Sequence, residues 1–413
     1  MSLQGPILVI ADNSGLAQAL ADAGAFPIVE SSWAGARTAL GEVKPSAIVA
    51  SAPAAAETDA AMALAERAAK LTPFVPFMSR VSDGATVAMP HAMAVEESAS
   101  PARVVARLSA ALRLRTLHAT TLSRARALKE ERNIVAELPA GDPLDDATVL
   151  LMGRGRHHAT LSVAVGERMG VIGALSVETA ARCLTARDID GIVIGEGLGA
   201  PAVDAFLTIL ADDSRFRDLP VALLGSGHDI AALPNFVSAC DPMVLLSHVT
   251  PLVRLHAFET ALKRLLASIE CKGMLDPHTG LLRSDAFGRA LDLAIEDAAG
   301  RGAVFSLARF SFDEPIDRRS SIDAARLVSR LMRDSDFACR QDDGSILFVF
   351  GDTELRHAHV VARRLASVLK HTMVRPNREQ QGVSPSITLA TLKPSDTALT
   401  LLTRVAPRSV AAA

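Results

Sequence analysis

The chain has 413 residues, with 43 Lys+Arg against 46 Asp+Glu and a formal charge of -3. At roughly 150 residues per domain, that length predicts about three domains. The near-neutral balance gives no overall drive toward nucleic acid or an anionic membrane. A single Trp and no Tyr disfavour a base-stacking platform for single strands. No apolar run approaches the roughly 18 residues that span a bilayer, and Met1-Ser2-Leu3-Gln4-Gly5-Pro6 lacks the regions of an export signal. A cytoplasmic protein without membrane insertion is expected. Cys183, Cys240, Cys271 and Cys339 are too widely spaced for a disulfide framework or a zinc site, and they read as buried thiols in a reducing compartment.

In chain order, Ile7-Leu8-Val9-Ile10 is a buried-strand run, followed by Ala11-Asp12-Asn13 and an Ala-rich helical pattern that Gly24 stops. Further apolar runs stand at Ala47–Ala50 and around Phe74–Phe77, each a helix length apart. Such alternation predicts a parallel sheet covered on both faces. A long helix follows from Pro101 to Leu128, with Val105, Leu108 and Leu112 on one face. Pro139-Ala140-Gly141-Asp142-Pro143 reads as a linker. The order then repeats, with strands at Thr148–Met152, Ile192–Ile194 and Pro220–Leu224 and a second long helix from about Pro251 to Glu270. Leu255, Phe258, Leu262, Leu265 and Ile269 keep a 3-4-3-4 spacing. That seam suits either a dimer coiled coil or a helix packed on its own chain.

The third segment runs from about Gly273 to Pro407 and opens with Asp276-Pro277-His278-Thr279-Gly280-Leu281-Leu282. A strand at Val304–Ala308 precedes a helix from about Ser321 to Met332. A hairpin centred on Gln341-Asp342-Asp343-Gly344 has Ile346–Phe350 as its second strand. A helix over about Glu354–Lys370 and a strand at Ser386–Ala390 complete the pattern, and Ser409–Ala413 is expected to fray.

The first two segments resemble the receiver domains of response regulators. Receivers hold Mg²⁺ with an acidic pair after the first strand and accept phosphate on an Asp at the end of the third, so the metal neutralises charge while the carboxylate attacks phosphorus. Here one carboxylate of the pair remains, Asp12, and Ser51 stands at the acceptor place. In the second unit the first strand is followed by Gly153-Arg154, and Gly195 takes the acceptor place. Both units therefore read as unable to undergo aspartyl phosphorylation, and as scaffolds for dimerisation or docking. Arg154, Arg156, His157 and His158 form a basic cluster that reads as a solvated loop or a contact for an acidic partner.

The Asp276–Leu282 turn and the order after it resemble GGDEF domains, the diguanylate cyclase family, over most of residues 273 to 402. Two receivers before a cyclase is the order of PleD- and PopA-type members. The resemblance implies an α/β chain with two doubly wound, flavodoxin/CheY-like receiver-like domains at 5–128 and 146–270. An α/β nucleotide-cyclase-like GGDEF domain would follow at 273–407. In active members the hairpin glycines admit GTP and a carboxylate holds metal. Here those five places read Asp342, Asp343, Gly344, Ser345 and Ile346, and Arg309 stands where a second metal carboxylate belongs. The base-contacting places read Asp317 and Arg318, and the usual C-terminal element is missing near Arg404-Val405. Phosphoryl transfer depends on positioned metal and charge neutralisation, so no enzyme activity, catalytic residue, metal or cofactor is expected.

The family also carries a product-inhibition site, Arg-x-x-Asp, five residues before the hairpin signature. Arg333-Asp334-Ser335-Asp336 stands with Phe337 to Gln341 before Asp342. Five other Arg-x-x-Asp matches occur in the chain, and only this one has the helix-then-hairpin context. Arg can give two hydrogen bonds to guanine O6 and N7, and a carboxylate accepts from N1–H and the exocyclic amine, which rejects adenine. The resemblance adds an arginine on the following helix, Arg364 by register, with Arg363 and Arg340 as further candidates. The resemblance implies a catalytically inactive, PopA-type cyclic-di-GMP effector, a homodimer that recruits a protease adaptor or polar scaffold, at a cell pole. The alternatives are a scaffold without ligand, in which Arg333/Asp336 is a surface ion pair, and a residual cyclase. A DNA-binding regulator lacks a basic recognition helix.

Overall fold

Four β-branched or leucine side chains in a row at Ile7–Ile10 form β1, which is buried on both faces as a central parallel strand must be. The structure is a computed structural model that describes residues 5–11, 15–25, 27–87, 89, 91–225, 230–301, 304–312, 318–372 and 385–406. Asp12, Asp317, Pro407 and the Ser409–Ala413 tail lie outside the described residues.

After β1 come α1 (Leu16–Asp22), β2 (Ile28–Ser31), α2 (Ala36–Val43), β3 (Ala47–Ala50), α3 (Thr58–Lys70), β4 (Phe77–Val81), β5 (Ala92–Glu96) and α4 (Pro101–Arg132). The second run is β6 (Thr148–Met152), α5 (His158–Gly166), β7 (Gly170–Ala174), α6 (Val177–Ala186), β8 (Gly191–Ile194), α7 (Ala200–Asp212), β9 (Val221–Leu224), β10 (Phe236–Ala239) and α8 (Pro242–Glu270). Both runs make five-stranded parallel sheets, in the orders β2-β1-β3-β4-β5 and β10-β9-β8-β6-β7. Counted within each run, both orders are 2-1-3-4-5, the flavodoxin-like doubly wound order. In each run the link between the fourth and fifth strands carries no helix among the described residues.

The chain divides into two compact units. The first holds Met1–Arg126, Leu138–Arg182 and Ile189–Leu262, and therefore both parallel sheets. One apolar cluster runs through it, joining Val9, Val49 and Leu108 to Leu151, Leu245 and Val249. Buried polar groups cross between the two layers. Arg107 Nε and Nη2 donate to the carbonyls of Pro234 (3.1 Å) and Phe236 (2.8 Å), and Nη1 donates to Ala94 O. Burial pushes this guanidinium down to about 9, so it stays charged at neutral pH. His248, six residues after Pro242 as Arg107 is after Pro101, bonds Ala85 O through Nε2 at 2.8 Å.

The long helix expected from Pro251 begins at Pro242, with Pro251 inside it. Asp241 Oδ1 accepts from the backbone N–H of Met243 (2.7 Å) and Val244 (3.0 Å). An Asp cap followed by proline at the first helical position is the stronger start signal. Of the seam residues, Leu262, Leu265 and Ile269 are buried within the chain, and Leu262 packs with Phe74 and Leu114. This is the own-chain alternative for those three positions.

The second unit holds Ala127–Glu137, Cys183–Asp188 and Lys263–Ala413. Its described elements are α9 (Ser284–Arg301), β11 (Ser306–Phe312), α10 (Arg318–Leu331), β12 (Phe337–Arg340), β13 (Ile346–Phe350), α11 (Leu355–Thr372), β14 (Pro385–Thr391) and α12 (Ala398–Val405), besides part of the long helices. The antiparallel sheet has the order β12-β13-β11-β14. Period-2 alternation sorts β13 between two cores. Ile346, Phe348 and Phe350 pack against Ala324, Val328, Ala358 and Ala362 of α10 and α11. Leu347 and Val349 pack against Phe287 and Leu291 of α9 and Leu401 of α12. Of the four cysteines only Cys339, inside β12, is buried, and burial pushes its thiol up to about 12. Cys240 lies in the turn before α8 and is exposed, contrary to the expectation of buried thiols.

Candidate functional site

The hairpin stands where the sequence puts it. Arg340 pairs with Ile346, Gln341 N donates to Ser345 O at 2.8 Å, and Gly344 takes a φ of 80°, which its missing Cβ permits. The Arg309 guanidinium on β11 forms an ion pair with Asp343 of the hairpin turn. Asp343 Oδ1 also accepts from Ser345 N (2.9 Å) and Oγ (2.6 Å). Burial alone would raise the Asp343 carboxyl, yet the Ser345 hydrogen bonds and Arg309 together hold it below the usual carboxylate range. The strand expected to end at Ala308 runs on to Phe312, so Arg309, at the place where the resemblance expects a metal carboxylate, stands in the middle of β11 and engages a hairpin acid. These residues do not suit a divalent cation, which wants several free oxygens. Among the described residues no group of three or more His, Cys, Asp or Glu could hold a metal ion.

At the other end of β12, Arg333 follows α10 and lines a cavity of about 510 Å³ with Asp352, Glu354, His357, Val360 and Val361. Its guanidinium forms no hydrogen bond or ion pair among the described residues, and the residue is exposed. Arg333–Asp336 is a turn past the helix end, not a helical pair. The Asp336 carboxylate faces this turn. Oδ1 accepts from Gly351 N at 3.1 Å and, weakly, from Ser335 Oγ at 3.5 Å, while Oδ2 accepts from Arg333 N at 3.4 Å. Asp336 does not line the cavity.

Arg364 lies one turn beyond Val360 and Val361 on α11, on the stripe that carries His357. Arg363 points about 100° away around the helix. Both are exposed. Arg340 is not brought to this site, although it is named beside it from sequence. Its Nε donates to Ser321 Oγ at 2.7 Å near the hairpin. It stands four residue steps along the strand from Asp336, about 13 Å at 3.3 Å each.

Sequence reasoning missed Gly351 and Asp352, which join β13 to α11. A Cβ on Gly351 would meet Ser335 O at 2.4 Å, so glycine is what lets the Arg333 turn dock there. A glycine closing an apolar strand is the available signal for such a close approach.

The strand ends of the first unit hold no free acidic constellation among the described residues. Ser51 Oγ donates to Ile10 O at 3.1 Å. Beyond β6 and β8, Glu196 enters the basic cluster, with Oε1 at 3.1 Å from His157 Nδ1 and 3.6 Å from Arg156 Nε. Burial would raise this carboxyl, but His157 and Arg156 outweigh it and hold it low. Glu196 thus pairs with two of the four members of that cluster, His157 and Arg156. His158 Nδ1 is buried without a partner among the described residues.

No family model and no curated protein matches the chain. Among solved structures it is similar to the GGDEF domain of DgcB from Caulobacter crescentus in complex with c-di-GMP. That match has 18% identity over 32% of this chain and 82% of that one, with a TM-score of 0.30. It is also similar to the FimX GGDEF domain from Pseudomonas aeruginosa, at 20% identity over 32% and 88%, TM-score 0.29. A third neighbour is the diguanylate cyclase SiaD in complex with its activator SiaC from Pseudomonas aeruginosa, at 21% identity over 35% and 59%, TM-score 0.31. These structural neighbours are GGDEF domains, and each match covers about a third of this chain.

Proposed function

We propose that the chain is a catalytically silent cyclic-di-GMP effector, a degenerate GGDEF protein of PopA type with two receiver-like domains. It acts as a homodimer that recruits protein partners such as a protease adaptor or a polar scaffold. The observation that carries the reading is Arg333, a guanidinium without a partner among the described residues at the wall of a cavity, with Arg364 on α11 one helical turn past the lining residues Val360 and Val361. A dinucleotide brings guanine edges and phosphate charge, and an Arg pair suits both. The Arg309–Asp343 ion pair supports the loss of cyclase chemistry, because it sets a cation where catalysis needs a metal. Ligand would act by binding one arrangement of the chain better than another.

Isothermal titration of the full chain with cyclic-di-GMP tests this. The wild type should bind and Arg333→Ala should not, with Arg364→Ala weakened. Equal heats from wild type and Arg333→Ala would remove the effector reading. Incubation with GTP and Mg²⁺ should yield no dinucleotide, and appreciable product would restore the cyclase alternative. A pure interaction scaffold is the second reading. It is favoured by Asp336, whose oxygens serve the backbone of its own turn.

A further inference from the structure

We infer that copies of this chain associate head to tail, the basic outer face of α11 in one copy docking on the acidic outer face of α9 in the next. The inference does not rest on the dinucleotide reading. α11 carries Arg356, Arg363, Arg364 and Lys370 and no Asp or Glu. Arg356, Arg363 and Lys370 stand seven residues apart, so each lies within about 20° of the last around the helix and about 10 Å further along it. All three are exposed, and none forms an ion pair among the described residues. Such a row of unpaired like charge is complementary to an anionic surface.

The second unit itself carries the complement. α9 bears Asp285, Asp292, Glu296 and Asp297 against Arg289 and Arg301. Asp285, Asp292 and Glu296 follow at spacings of seven and four and are exposed, again one stripe of a helix. Asp285 is paired with Arg289 at 3.0 Å, whereas Asp292 and Glu296 form no ion pair among the described residues. Each stripe is flanked by one exposed apolar side chain, Val360 at 55% on α11 and Leu293 at 65% on α9, so an apolar contact can sit beside the charges. The two helices cover opposite faces of the antiparallel sheet. Ala358, Ala362 and Leu369 of α11 pack with Phe348, while Phe287 and Leu291 of α9 pack with Leu347 and Val349. The two stripes of one copy therefore cannot meet each other, and a copy docked through one face leaves the other free. That is a heterologous contact, which grows into a ring or an open row rather than closing as a two-fold dimer.

The test is the weight-average mass of the full chain by analytical ultracentrifugation over a concentration series, at low salt and at about 1 M salt, where the Debye length falls to about 3 Å. At low salt the wild type should grow in mass past a dimer as concentration rises, and that growth should vanish at high salt. Two variants reverse the stripes, Arg356→Glu/Arg363→Glu/Lys370→Glu and Asp292→Lys/Glu296→Lys, and coincident thermal melts check that each keeps the fold. Each alone should lose the growth, because both of its faces then carry one sign. An equimolar mixture should regain it, because each variant supplies the face the other lacks. A wild type whose mass is flat with concentration at low salt, or that assembles equally at high salt, overturns the inference. So does a mixture that stays unassembled. Loss in the α11 variant alone, with the α9 variant assembling like wild type, would give the basic face a different anionic occupant and overturn the docking on α9.

Discussion

Arg309 shows how one substitution can make a second tolerable. A lone arginine at 86% burial would be costly, and a lone aspartate in the hairpin would repel any anion, but the two neutralise each other across β11 and the turn. Asp343 is half exposed, so the pair is screened and its loss should be moderate. Arg309→Ala should cost about 1–2 kcal/mol, in the range of hydrogen bonds to charged groups, read as a lower urea midpoint with an unchanged slope. No change in midpoint would mean that water screens the pair completely. In the sequence these residues are two separate departures from a motif. Their pairing needs the β11–β13 register, Arg309 opposite Leu347, which local pattern does not supply.

At the scale of the element, the β13–α11 turn governs the proposed site. Gly351→Ala puts a methyl 2.4 Å from Ser335 O, a backbone atom that cannot swing aside. The Arg333 turn must shift, with an expected loss of about 1–3 kcal/mol. Cyclic-di-GMP should also bind more weakly to Gly351→Ala by titration. Wild-type stability and affinity in that variant would show that the turn is free to move. The apolar runs of β1, β3, β6 and β13 and the hairpin punctuation were legible because each is a strong local signal. The strands β2 and β7 are not legible in this way because they are only partly buried, without a continuous apolar run. The position of Arg340 is likewise not legible locally, because the extended strand Phe337–Arg340 carries it to the end away from Asp336.

At the scale of the first unit, two histidines sit in shielded places. Burial holds His248 and His118 below the usual imidazole value, with Arg115 adding to the effect at His118. The unfolded chain therefore takes up protons before the folded one does. Stability from these groups is complete above the unfolded value of about 6.5 and is lost as pH falls from there toward the lower folded values. The urea midpoint should drop between pH 7.5 and pH 5.5, and His248→Gln should flatten that drop. A midpoint that holds steady across the interval would refute the assignment. None of this was readable from the sequence, because burial of a histidine depends on partners more than a hundred residues away. His248, for one, meets Ala85.

The links after β4 and β9, helix-free among the described residues, carry a consequence for how the molecule can be taken apart. Ala85 in one link bonds His248, and Pro234 in the other bonds Arg107. Each parallel layer is thus finished by a helix that belongs to its neighbour. A fragment ending near residue 137, or one beginning there, would be left with raw carbonyls and bare leucines where its missing half had been. Each half of the first unit thus borrows hydrogen bonds from the other's long helix.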